Sequence, residues 1–152
     1  MQVAKKADFK PFDASNWRLG IVTAQFNKEI TNQLQQNVIN RSKQYKIKES
    51  NIDIINVAGS VEIPLVLQQM AKSGKYNALI AIGCIVKGET AHFDYVCKFV
   101  SDGILRVQLD QNMPIGFGVL TCNTMAEAQS RSGLGSEHID AVLHQAQSIN
   151  NL

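Results

Sequence analysis

Gly88, Thr90 and His92 stand at alternate positions in Val86-Lys87-Gly88-Glu89-Thr90-Ala91-His92-Phe93-Asp94, directly after a long apolar run. A strand that leads through a glycine turn into a helix start leaves free backbone N–H groups and the positive end of a helix dipole. With the Thr90 hydroxyl these suit a phosphate or a carboxylate. Glu89 contributes there through its amide, because its side chain would repel an anion. An imidazole titrates close to neutral pH, so His92 can move protons for a substrate held beside it; the plainer alternative is a structural histidine. Lys87 adds positive charge or simply faces solvent.

Three other turns carry candidates. Phe26, in Ala24-Gln25-Phe26-Asn27, either offers a flat apolar face to a planar heterocycle or closes the end of the core. In Val57-Ala58-Gly59-Ser60-Val61-Glu62-Ile63-Pro64, Glu62 complements a helix dipole in any case. It can also accept hydrogen bonds from ring N–H groups, with the backbone of Ser60 and Val61 beside it. Arg131, in Gln129-Ser130-Arg131-Ser132-Gly133, is either ordinary charge near a helix end or a bidentate grip on phosphate. Phe117 lies mid-strand, where core packing is the default, and the cluster Arg41, Lys43, Lys46 and Lys48 reads as a solvated helix end.

The elements that must position these turns follow from hydrophobic period. Leu19 to Ala24 is a β-branched strand, followed by Asn27 as a cap and a helix from Lys28 with Ile30, Leu34 and Val38 on one face. Ile52 to Val57 is a second strand, and a helix runs from near Val61 to Lys72 with Pro64 in its first turn. Ala78 to Val86 is apolar at nearly every position, as a central parallel strand covered on both faces should be. A long helix then extends to about Asp110 with Phe93, Val96, Cys97, Val100, Ile104 and Val107 inward.

A fourth strand spans Pro114 to Leu120. Thr124 and Glu127 form a capping box for a short helix that Gly133 ends in a left-handed conformation. Ser136 caps the last helix, with the stripe Ile139, Val142, Leu143, Ala146 and Ile149. Strands alternating with helices imply right-handed crossovers and a three-layer α/β/α, flavodoxin-like fold, with a four-stranded parallel sheet flanked by helices. Ligands in such sheets bind at the carboxyl ends of the strands, which are the turns singled out above. Residues 1–18 read as an N-terminal arm and 19–152 as a single domain.

At 152 residues with 45% hydrophobic and 18% charged side chains, the chain can bury one core without metal or disulfide staples. A net charge of +2 is too small to imply nucleic acid as a partner. No apolar run approaches the ~20 residues of a bilayer span, so no membrane is expected. Cys84, Cys97 and Cys122 are an odd number without framework spacing, which together with the missing signal-peptide pattern points to a cytoplasmic protein.

Taken in order, GIVTAQFN, VAGSVEIP, SGKYNALIAIG, VKGETAHFDYV and PIGFGVLT resemble the 6,7-dimethyl-8-ribityllumazine synthase family over about Leu19 to Leu152. The resemblance implies an enzyme of riboflavin biosynthesis. It would condense 5-amino-6-(D-ribitylamino)uracil with 3,4-dihydroxy-2-butanone 4-phosphate to 6,7-dimethyl-8-ribityllumazine, phosphate and water, without metal or redox cofactor. It implies that Phe26 stacks on the pyrimidine and that Ser60, Val61, Glu62, Cys84, Ile85 and Val86 bind the aminouracil. Glu89 and Thr90 would meet the butanone phosphate, Arg131 its phosphate, and His92 would transfer protons. Phe117 would reach a neighbouring subunit's pocket, in a pentamer or a multiple of pentamers.

The sequence departs from the family pattern at identifiable places. Ala58, Ser60 and Val61 stand where Pro, Ala and an aromatic are common, Gln25 where Arg is common, and Lys87 replaces the usual Arg. The segment Ser132-Gly133-Leu134-Gly135-Ser136-Glu137-His138 is shorter than the family's loop and lacks its ribityl-binding lysine, although His138 offers one hydrogen-bonding group. Two other readings follow: a non-catalytic paralogue that binds flavin or lumazine, and a monomeric signalling or scaffold domain of the same topology.

Overall fold

The computed structural model describes residues 7–152. Four strands, β1 (Leu19–Ala24), β2 (Ile52–Val57), β3 (Ala78–Val86) and β4 (Ile115–Cys122), form one parallel sheet in the order β2-β1-β3-β4. Five helices, α1 (Lys28–Gln44), α2 (Ile63–Lys72), α3 (His92–Gln111), α4 (Met125–Arg131) and α5 (Gly135–Asn150), connect and cover it. The result is the three-layer α/β/α, flavodoxin-like arrangement expected. Among the described residues no helix is long and apolar enough to cross a membrane.

Alternation along the strands divides the core. Leu19 and Ile21 of β1 and Ala78, Ile80, Ile82 and Cys84 of β3 pack with Leu34 and Val38 of α1 and Ile139, Val142 and Leu143 of α5. Val22 and Ala24 of β1 with Leu79, Ala81 and Ile85 of β3 pack against Ile63 and Leu67 of α2 and Val100, Ile104 and Val107 of α3. With a side-chain period of two and both faces covered, neither strand has a polar side to spare, which explains the unbroken apolar text of β3. β2, at the sheet's edge, keeps Ile54 and Ile55 partly exposed.

Several boundaries differ from the sequence reading, each for a local reason. Asn27 occupies the N-cap position of α1 but has φ 59° and makes no side-chain cap; its Nδ2 donates to the Cys84 carbonyl at 2.9 Å instead. Thr31 closes the same corner by donating from Oγ1 to the Ala24 carbonyl at 2.8 Å. α2 begins two residues later than expected, because Ser60–Glu62 form a 3-10 turn first. β4 extends to Cys122, and α3 starts only at His92.

Gly133 does not adopt the left-handed conformation, which among the described glycines belongs to Gly74 alone. α4 runs through a short turn directly into α5, so Leu134 takes the N-cap position and Ser136 lies inside the helix. Gly135 is the residue that this junction needs: a Cβ there would collide with the Leu34 carbonyl oxygen of α1. Thr124 does cap α4, accepting from the Glu127 amide at 3.1 Å, while the Glu127 carboxylate accepts from Asn123 N at 2.9 Å, one residue further back than the capping box predicts. Ile149, placed on the buried stripe of α5, is exposed.

The expected N-terminal arm lies in part outside the described residues. Residues 7–18 carry no helix or strand. Phe12 packs edge-on against Trp17, Tyr45 and His144, Phe9 stacks on His144 with ring centroids 4.6 Å apart, and Ala14 N donates to the Tyr45 carbonyl at 2.8 Å.

Candidate active site

The strand order changes direction between β1 and β3, since the chain steps from β1 outward to β2 and then returns to β1's other side. At such a switch point the turns leaving two neighbouring strands diverge and open a crevice at their carboxyl ends. Here the crevice is a cleft of about 450 Å³. Phe26 comes from the β1 exit, Ser60, Val61 and Glu62 from the turn after β2, Cys84, Ile85 and Val86 from the end of β3, and Thr90 and His92 from the start of α3. Segments separated by more than sixty residues in sequence thus share one wall, held by the Asn27 to Cys84 hydrogen bond.

Phe26 is 72% exposed, so its ring does not close the core and presents a face at the rim of the cleft. Glu62, in the same lining, folds back to accept from Gly59 N at 2.9 Å through Oε2, which fixes the carboxylate at the cleft and leaves Oε1 without a partner among the described residues. The N–H groups of Gly88, Glu89 and Thr90 likewise meet no acceptor among the described residues, while Thr90 Oγ1 accepts from His92 N at 3.3 Å. Three unpaired amides before a helix of 20 residues make an anion-receptive corner. Burial, with Cys122 nearby, pushes the Cys84 thiol up to about 11, so it stays protonated and is a wall of the cleft, not a nucleophile.

Three predicted residues lie away from this cleft. The Glu89 side chain is not part of its lining. Arg131 sits on α4, donating from Nη1 to the Glu127 carbonyl at 3.3 Å and lying 3.8 Å from its carboxylate. Phe117 is on the edge strand β4, partly exposed beside Ile104 and Leu105 of α3, and the core packing that its mid-strand position suggested is not its environment. His138 is also outside the cleft: its Nε2 is buried against β4 without a partner among the described residues, and burial holds its pKa below that of an ordinary histidine. Gly59, Phe93 and Val96 complete the lining and were not singled out from sequence, since nothing in glycine or in an inward helix stripe marks a cleft wall.

A family model for 6,7-dimethyl-8-ribityllumazine synthase matches residues 16–150, nearly the whole chain. The chain belongs to this family. Membership supports lumazine synthase activity in riboflavin biosynthesis, a transferase chemistry on small molecules. The lumazine synthase match begins just before β1 and ends at the last residue of α5, so it spans every turn that lines the cleft.

Proposed function

We propose that this protein condenses 5-amino-6-(D-ribitylamino)uracil with 3,4-dihydroxy-2-butanone 4-phosphate to give 6,7-dimethyl-8-ribityllumazine, phosphate and water. The observation that carries the reading is the cleft itself, which combines an exposed aromatic face, a fixed carboxylate and unpaired amides beside a histidine. Phe26 stacks on the pyrimidine, and Glu62 accepts from its N–H groups, with Ser60, Val61, Cys84, Ile85 and Val86 shaping the pocket around it. The amides of Gly88, Glu89 and Thr90 hold the butanone phosphate.

The reaction sequence asks for little else. The 5-amino group attacks the ketone, the carbinolamine loses water to an imine, elimination releases phosphate and leaves an enol that tautomerises to a ketone, and the second amine attacks that carbonyl and loses a second water to close the ring. Each step moves a proton, and none requires a covalent bond to the protein. Fixing two substrates in reacting geometry supplies much of the acceleration, and His92 relays protons among the amine, the hydroxyls and the leaving water. The test is direct: purified protein mixed with both substrates produces lumazine absorbance in proportion to enzyme. Binding of lumazine or flavin with no product at high enzyme concentration would instead establish the non-catalytic alternative.

Arg131 and Phe117 act in this reading from a neighbouring subunit, Arg131 on the phosphate and Phe117 against the ribityl-bearing substrate, in a cytoplasmic pentamer or multiple of pentamers. The outer side of α3 supports association: Tyr95, Phe99, Leu105 and Leu109 are exposed there, interspersed with the Lys98–Asp102 and Arg106–Asp110 ion pairs. Four large apolar side chains left exposed on one helix favour a protein-binding surface. Replacing Phe99 by Glu leaves the subunit fold intact and shifts the particle toward monomers by light scattering, with turnover lost in parallel. A variant that becomes monomeric yet retains full activity would refute the shared site.

A further inference from the structure

We infer that Asn27 is a positioning residue for the reaction: its left-handed backbone and the grip of its amide on β3 hold Phe26 at the rim of the cleft, where the heterocycle stacks. The inference rests on the aminouracil reading of the site. It adds a residue that acts through Phe26 and does not itself touch the ring.

The need for such a residue comes from Phe26. Its ring is largely exposed, so core packing does not fix it, and the backbone on either side has to. Toward β2 the pairing continues past the strand: Gln25 N donates to the Val57 carbonyl at 2.8 Å and Phe26 N to the Ala58 carbonyl at 3.0 Å. Toward β3 the register ends earlier, at Thr23 opposite Ile82, and the two strand exits part to open the cleft. The Asn27 amide spans that gap, donating from Nδ2 to the Cys84 carbonyl at 2.9 Å. Phe26 is thus held by backbone on one side and by a single side chain on the other.

The backbone of Asn27 is as particular as its amide. At φ 59° and ψ 43° it turns left-handed immediately after Phe26, and its carbonyl accepts from Ile30 N at 3.0 Å and Thr31 N at 3.1 Å as α1 begins. The other left-handed residues that are not glycine, Lys46 and Asn112, follow the ends of α1 and α3, where that conformation is common. Asn27 precedes a helix, where an extended residue is the rule. A rare conformation next to an exposed aromatic at a cleft is kept where a fixed geometry serves function. Glycine, asparagine and aspartate tolerate it best, and of the three asparagine alone brings a side-chain N–H donor. Conformation and grip together therefore specify the residue. The Gly88 to Thr90 corner hangs instead from β3 and α3, with Lys87 N donating to the Cys122 carbonyl at 2.9 Å, so it does not depend on Asn27.

The experiment is a double-mutant cycle in the full chain. The calorimetric Kd for 5-amino-6-(D-ribitylamino)uracil, the KM for the butanone phosphate and the melting temperature are measured for wild type, Asn27→Gly, Phe26→Ala and the double variant. Asn27→Gly keeps the left-handed turn and deletes the amide. Asn27→Asp, measured alongside, keeps turn and shape but sets an oxygen against the Cys84 carbonyl. The expected result is aminouracil binding about tenfold weaker in both Asn27 variants, an unchanged KM for the butanone phosphate, and no further loss when Asn27→Gly is added to Phe26→Ala. A further tenfold loss in the double variant overturns the inference, because Asn27 would then act independently of Phe26. Unchanged affinity in either Asn27 variant overturns it too, as does an equal rise in both constants with a lowered melting temperature, which marks a general loss of fold. Each of these leaves the proposed reaction standing. Failure of wild type to bind the aminouracil removes the functional reading and this inference with it.

Discussion

His92→Ala lowers kcat for lumazine formation by about 100-fold, the lower end of what a positioned acid–base group contributes, while KM for the aminouracil changes little. The asymmetry follows from placement. His92 is the first residue of α3, exposed at the cleft beside Thr90, whereas the ring is bound on the proposed reading by Phe26, Glu62 and Ser60 from the β1 and β2 turns. No other histidine can substitute, because the Nε2 atoms of His138 and His144 are both buried on α5, on the sheet face opposite α3. Steady-state kinetics with each substrate varied in turn provides the measurement, and added imidazole should restore part of the rate. An unchanged kcat would remove His92 from the mechanism, and a raised KM alone would make it a binding residue.

Asp140→Ala destabilises the folded subunit by about 3 kcal/mol, read as a lower urea midpoint. One carboxylate oxygen accepts from Arg41 Nε at 2.8 Å and from the Tyr45 hydroxyl at 2.6 Å, so α5 and α1 are tied by a single group. Tyr45 is fully buried, and burial together with the Asp140 hydrogen bond keeps its phenol from ionising. Arg41 extends the network by donating to the Phe9 carbonyl at 3.2 Å, which anchors the chain ahead of β1. Removing the carboxylate leaves a buried phenol without its acceptor and a largely covered guanidinium without its counter-ion, and that uncompensated burial is the main cost. The side chains of Arg41 and Asp140 retain 21% and 15% exposure, so water softens the loss to the low end of the range for buried pairs. Asp140→Asn keeps one acceptor oxygen and should lose less; an unchanged midpoint in the alanine variant would show that the network holds nothing together.

The regular elements were legible because their signals are local. The bounds of β1, β2 and β3 coincide with the apolar runs that predicted them, and α1, α3 and α5 follow their inward stripes to within a few residues. The failures are where a residue's role depends on something distant. Asn27 has the right type for a cap, but the proximity of the Cys84 carbonyl gave its amide a better partner. Gly133 and Ser136 have the composition of a helix stop and a helix start. The close approach of α5 to α1 at Gly135 instead fused that junction into one short turn.

The site divides in the same way. Phe26, Glu62, Thr90 and His92 stood out because each follows a predicted strand, and the rule that ligands bind at strand ends needs no coordinates. What the sequence alone determined is therefore the list of strands, the buried faces of helices and the family of the chain. Each rests on periodicity or motif order within contiguous text. Only the tertiary structure decided that β1 and β3 are neighbours and that their exits open a common cleft. It also decided that α3 leaves Tyr95, Phe99, Leu105 and Leu109 exposed and that Ser60 packs over Gly83. Hydrophobic period encodes which side of an element is buried; which elements meet is settled by packing between segments far apart in the chain, and an active site is made of such meetings.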